Sequence, residues 1–205
     1  MNSQMCYTRK KIFISTTILF TVLLWSNLLH AQMNDFDPEF YFENSIHIQK
    51  TGMIVLGSWA GLNLLTGAGG NFYFKNETKY FFQMNSAWNV INLGIAAIGF
   101  YGIPEMTSTL TNAEMLTEMR NFDRILLINA GLDVLYIGVG SYLLRRGLKN
   151  NNRRFIGYGR SVILQGGFLF IFDLALYLRH SPNTKGLFQI TENITFTGNG
   201  LSIAF

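Results

Sequence analysis

The chain has 205 residues but a single cysteine, Cys6, and only 14 % of it is Asp, Glu, Lys or Arg. One thiol excludes an internal disulfide, so packing and hydrogen bonds must hold the fold. Recognisable catalytic spacing is missing as well. There is no HExxH, GxGxxG or P-loop pattern, which removes the zinc-hydrolase, dinucleotide and nucleotide-phosphate readings. No Ser-His-Asp or Cys-His set is expected to meet at one depth. His47 and His180, with Glu43 one turn before His47, lack a paired-His motif and read as interfacial anchors beside Lys50 and Arg179. No catalytic residue, cofactor or metal is assigned, and no enzyme is expected.

What is there first is a leader. Arg9, Lys10 and Lys11 precede an apolar run from Ile12 to Trp25, and Leu29-His30-Ala31 ends on the small residue a signal peptidase requires. The run is shorter than the roughly 20 residues of a membrane-crossing helix. Residues 1–31 therefore read as a signal peptide. They carry three basic residues and no acid, which leaves 13 Lys+Arg against 12 Asp+Glu. The positive balance thus belongs partly to the leader and does not point to nucleic acid.

Four long apolar stretches come next, at 51–70, 82–101, 124–144 and 155–178, each long enough to cross ~30 Å of hydrocarbon. Charge within them is nearly confined to Asp133, Arg160 and Asp173. The expected fold is an all-α membrane protein, a four-transmembrane-helix bundle whose partner is the lipid bilayer. Orientation follows from Lys and Arg in the connections. The third connection, Arg145 to Arg154, carries five of them and no acid, and the first adds Lys75 and Lys79. The second holds Glu105, Glu114, Glu118 and Asp123 against Arg120 alone. The first and third connections should be cytoplasmic and the second external, which puts both mature termini outside an inner (cytoplasmic) membrane.

Outside the spans, 32–50 reads as an extracytoplasmic interfacial segment with Phe36, Phe40, Tyr41 and Phe42, and 112–120 as a short amphipathic surface helix. The tail, 179–205, alternates Phe188, Ile190, Ile194 and Phe196 with polar residues before Gly198-Asn199-Gly200, the pattern of a hairpin. A terminal Phe after alternating residues also suits an outer-membrane barrel, but four apolar helices do not. Ala60-Gly61-Leu62-Asn63 echoes Ala130-Gly131-Leu132-Asp133, and Asn92 would then overlie Gln165. Two repeated helix pairs are one reading of that echo, and chance similarity is the other.

The span interiors carry the candidate site. Asn85, Trp88, Asn89, Asn92, Ala96 and Gly99 fall on one face of the second span, and Asn129, Asp133, Tyr136 and Gly140 on one face of the third. Counting depth at 1.5 Å per residue places Asn63, Asn89, Asn92, Tyr136 and Gln165 near the bilayer centre, with Asn129 and Asp173 nearer the outside and Asp133 between the two levels. Arg160 should snorkel to the cytoplasmic face. Gly57 and Gly61 form a GxxxG ridge for another helix, and Gly131 with Gly138 a second smooth strip.

Two functions compete. In one, the chain is a packing or interaction subunit, seating a membrane-protein partner or a second copy, and the amides only fix register. In the other, it is a small transporter, channel or ligand or proton sensor using Asp133 and Asp173.

Gly57 to Asn63, Met84 to Asn89, Gly157 to Ser161, Gln165-Gly166-Gly167 and Phe172-Asp173 together resemble the signatures of a small uncharacterised bacterial family of membrane proteins with a signal peptide and four transmembrane helices. The resemblance covers most of the mature chain and implies no activity and no catalytic residue.

Overall fold

The structure is a computed structural model that describes residues 37–103, 110–197 and 200–203, with side chains described up to Thr191. The leader and Cys6 lie outside the described residues. Contacts divide the chain at Phe40 into two units. The first is described only from Asp37 to Phe40, where Asp37 accepts from the Glu39 backbone N–H. The second, from Tyr41 onward, carries the helix packing and the candidate site.

The fold is all-α, with four helices: α1 (Pro38–Tyr73), α2 (Asn76–Gly102), α3 (Asn112–Lys149) and α4 (Arg153–Asn193). Two four-residue strands, β1 (Ile194–Thr197) and β2 (Gly200–Ile203), then pair antiparallel with Ile194 opposite Ile203. By length and composition α3 and α4 are long and apolar enough to cross a membrane.

The turns explain where the helices start. Asn76 and Asn151 take left-handed φ values of 58° and 49° at the two short helix connections, a conformation that Asn tolerates better than most residues. Asn152 Oδ1 then accepts from the Arg154 and Phe155 N–H groups, covering donors that the first turn of α4 cannot satisfy. At α3, Thr111 and Glu114 form a reciprocal capping box, and its hydrogen bonds hold the exposed Glu114 carboxyl below its ordinary range.

All four helices outrun the expected spans, α2 least. α1, α3 and α4 have 36, 38 and 41 residues against 27 in α2, so their outer turns continue past its end. Residues 112–120 are therefore not a separate surface helix. Met115, Met119, Phe122 and Leu126 continue the stripe of Asp133 in steps of four and three, so nothing in the pattern breaks α3 there. Likewise Phe188 and Ile190 lie in α4 rather than in a strand. Leu176, His180, Leu187 and Ile190 extend the Asp173 face at helical spacing, and Pro182 sits on the exposed side. At this outer end Phe42, Met115, Leu116, Met119 and Leu187 bury one another.

The interior is polar and much of the outside apolar. Asn89 and Gln165 are 0 % exposed, whereas Leu65 and Ile98 are 75 % and 78 % exposed. Close packing between α3 and α4 comes from glycines spaced by seven. A methyl at Gly159 would stand 2.5 Å from the Leu144 nitrogen, one at Gly140 2.9 Å from the Ile163 nitrogen, and one at Gly147 2.6 Å from the Ile156 nitrogen. With Gly166 above them, they let the two backbones touch along a smooth seam.

Candidate functional site

At the inner level the structure closes a ring of hydrogen bonds across three helices. Trp59 Nε1 on α1 donates to Gln165 Oε1 on α4 at 3.1 Å, and Gln165 Nε2 donates to Asn85 Oδ1 on α2 at 2.5 Å. Asn85 Nδ2 donates to Asn63 Oδ1 at 2.8 Å, and Asn63 Nδ2 returns to the Trp59 carbonyl at 2.8 Å. Stacking of Trp59 on Phe168, 3.8 Å between centroids and 5° between planes, holds the indole in place. Asn89 joins from beside the ring, donating to the Asn85 carbonyl at 2.7 Å, and accepts from Asn92 at 3.5 Å. Buried amides that satisfy one another this way fix register and leave little for a ligand to take.

One level outward two acids meet, and their carboxyl groups hydrogen-bond each other. Asp133 on α3 and Asp173 on α4 are 3 % and 6 % exposed, and their carboxyl groups lie close enough to interact directly. Asp133 Oδ2 is buried without a hydrogen-bond partner. Both line a pocket of ≈ 210 Å³ between α2 and α3, with Asn92, Asn129, Trp88 and Tyr136 also on its wall and α1 and α4 behind it. Trp88 and Tyr136 meet edge to face at 4.9 Å. The structure thus separates the expected polar band. Asn63, Asn89 and Gln165 go to the ring, while Asn129, Asp133, Tyr136 and Asp173 go to the pocket, with Asn92 reaching both. The sequence echo divides in the same way, since Asn63 and Asp133 occupy different surroundings.

The outer level holds an arrangement that the sequence reading excluded. Ser45 on α1, His180 on α4 and Asp123 on α3 form one chain, with Ser45 Oγ 2.5 Å from His180 Nε2 and His180 Nδ1 2.7 Å from Asp123 Oδ1. Sequence separations of 135 and 57 residues, and placement beyond the expected spans, hid it. Burial pushes the His180 imidazole below its ordinary value of 6.5, against the pull of Asp123. The neutral ring therefore donates from Nδ1 to Asp123 and accepts at Nε2 from the Ser45 hydroxyl. Gln49 Nε2 donates to Ser45 Oγ at 3.1 Å.

These are the residue types of acyl transfer, but Ser45 and His180 are wholly buried and neither lines one of the described pockets. Ser45 also lies inside α1, where backbone N–H groups are spent on the helix and offer no oxyanion site. The chain is a strut joining three helices.

Other expected positions resolve simply. A Cβ at Gly57 would stand in ordinary contact with Ala96 of α2, at 3.5 Å, whereas Gly61, Gly131 and Gly138 face nothing within 4 Å, so within this chain those three seat no helix. On α1 the glycines packed against α2 are Gly67 and Gly70, opposite Ser86 and Phe82. His47 is exposed, and so is Arg160. Among the described residues no group of three or more His, Cys, Asp or Glu could hold a metal.

The family of unknown function DUF6992 matches residues 55–174, more than half of the chain. The chain belongs to that uncharacterised family, and the matched segment contains both the amide ring and the carboxylate pocket. Comparison with curated proteins and with solved structures finds no match.

Proposed function

We propose that the chain is a four-span inner-membrane protein, with both mature ends outside, that takes a small polar ligand into the pocket at Asp133 and Asp173, as a transporter or sensor does. Lipid as solvent accounts for the inversion of polarity, since exposed Leu65 and Ile98 would be costly in water and a buried polar centre is at home within a bundle. The amides on the inner faces of α1 and α2 lower the mean hydropathy of their apolar stretches below that of α3 and α4. The basic connection Arg145 to Arg154 supports the orientation.

One observation carries the functional reading: Asp133, which keeps one buried oxygen without a hydrogen-bond partner, lines a pocket together with a second acid, Asp173. Leaving such a group unmatched costs free energy, about 2.5 to 3.5 kcal/mol for an Asp at the centre of a span on insertion scales. A merely structural role would not maintain that cost.

The competing reading, a packing or interaction subunit, draws on the amide ring and on a shallow apolar groove beside Gly57. It explains Asn63, Asn85, Asn89 and Gln165, and the bond between Asp133 and Asp173 across α3 and α4, but not the space of ≈ 210 Å³ beside that pair or the oxygen of Asp133 left without a partner. No bond-making step is part of either reading. Asp133→Asn separates them, because Asn keeps shape while removing charge. Retained folding with a changed response to ligand or proton supports the pocket, and an effect confined to thermal stability supports the subunit.

A further inference from the structure

We propose that the ligand of this pocket is a small organic cation, a primary amine or guanidinium bearing an aromatic or short aliphatic group, admitted from the outer side. The inference deepens the ligand-binding reading above and rests on it. Sign comes first. No Lys, Arg or His lines the pocket, and the acid–base contact among the described residues, His180 with Asp123, lies elsewhere, so no basic side chain on its wall offsets Asp133 or Asp173. Two carboxyl groups that hydrogen-bond each other share a proton, and the single negative charge such a pair can hold in a low-dielectric wall repels an anion and attracts a cation.

Size and lining then choose among cations. A hard divalent ion takes six to eight oxygens, or strict octahedral geometry, whereas two acids and two amides converge here. The space, ≈ 210 Å³, far exceeds the roughly 10–15 Å³ that admits one water. Trp88, Tyr136 and Phe172 add aromatic surface, which attracts ammonium and guanidinium groups through ring faces and shelters an apolar substituent. Asn92 and Asn129 can accept from the remaining N–H donors.

Direction follows from a second cavity. A pocket of ≈ 340 Å³ at the outer end is lined by Met53, Ile98 and Ile125, each one turn outward from Leu56, Ile95 and Asn129 of the first pocket. The two spaces succeed one another along the same three helices. Glu118, Asn121 and Gln49 also line the outer one, and no basic residue does. A cation meets an acid-bearing vestibule before the carboxylate pair.

The test uses the full chain with Cys6→Ala and Asn129→Cys, labelled on intact cells by a membrane-impermeant thiol reagent in the presence of benzylamine, benzyl alcohol or benzoate. Should Asn129→Cys not fold, Leu132→Cys, on the same wall, replaces it. Labelling that benzylamine slows about tenfold or more, with no effect from benzyl alcohol or benzoate and no protection once Asp133→Asn is added, is the expected result. Labelling that only benzyl alcohol or benzoate slows, or that none of the three slows, overturns the organic cation and leaves an accessible pocket. A cysteine inert from outside overturns the pocket reading together with the cation.

Discussion

His180 carries the clearest residue-scale consequence. Its folded imidazole titrates below 6.5, so between that folded value and about 6.5 the unfolded chain binds a proton that the folded chain does not. The stability contributed by the neutral ring is complete above about pH 6.5 and is lost as pH falls below it. Protonation would put a hydrogen on Nε2, the atom that now accepts from Ser45, and close that acceptor. The melting temperature of the wild-type chain in detergent should therefore fall further between about pH 7.5 and about pH 5.5 than that of His180→Gln. Equal falls would remove the strut from the account of stability. Nothing local in the sequence marks this residue, because its partners come from the far ends of two other helices.

At the scale of elements, the seam between α3 and α4 makes the sharper demand. Gly159→Val places carbon against the Leu144 backbone, which has no rotamer by which to yield. Its cost should exceed the about 1–3 kcal/mol typical of overpacking. Gly131→Ala and Gly138→Ala meet open space and should leave the unfolding temperature unchanged or raise it, since Ala is the better helix former by up to about 1 kcal/mol. Thermal unfolding of the three variants in one detergent compares them directly. The seam repeats glycine at a spacing of seven, Gly140 with Gly147 and Gly159 with Gly166, but the same spacing at Gly131 and Gly138 and the GxxxG pattern at Gly57 and Gly61 drew attention to faces that touch little. Pattern alone cannot say which smooth face has a neighbour. The four apolar helices were legible from composition, but their outer ends were not. A bilayer-length window stops at Leu178, and the stripe that carries α4 on to Asn193 is mixed in polarity.

For the whole molecule, the arrangement along α4 sets three polar levels: Gln165, then Asp173 about 12 Å outward, then His180 about 10 Å beyond that. In the proposed orientation only the last stands outside the hydrocarbon. Single cysteines on the Cys6→Ala background test it: one between Arg145 and Arg154 should resist an impermeant thiol reagent on intact cells, and one in 112–114, exposed at the start of α3, should react. The reverse pattern would invert the topology. Sequence alone could place Asp133 and Asp173 inside the spans, yet it could not tell the amides that close the ring from the acids that line the pocket, because that depends on which faces of four helices meet. The amide ring adds a last constraint. Indole nitrogen can only give a proton and a carbonyl can only receive one, so Trp59, standing at both ends of the loop, sets a one-way circulation. With its direction imposed there, the orientations of Gln165, Asn85 and Asn63 follow without choice, and none of them can turn over alone without halting the circuit.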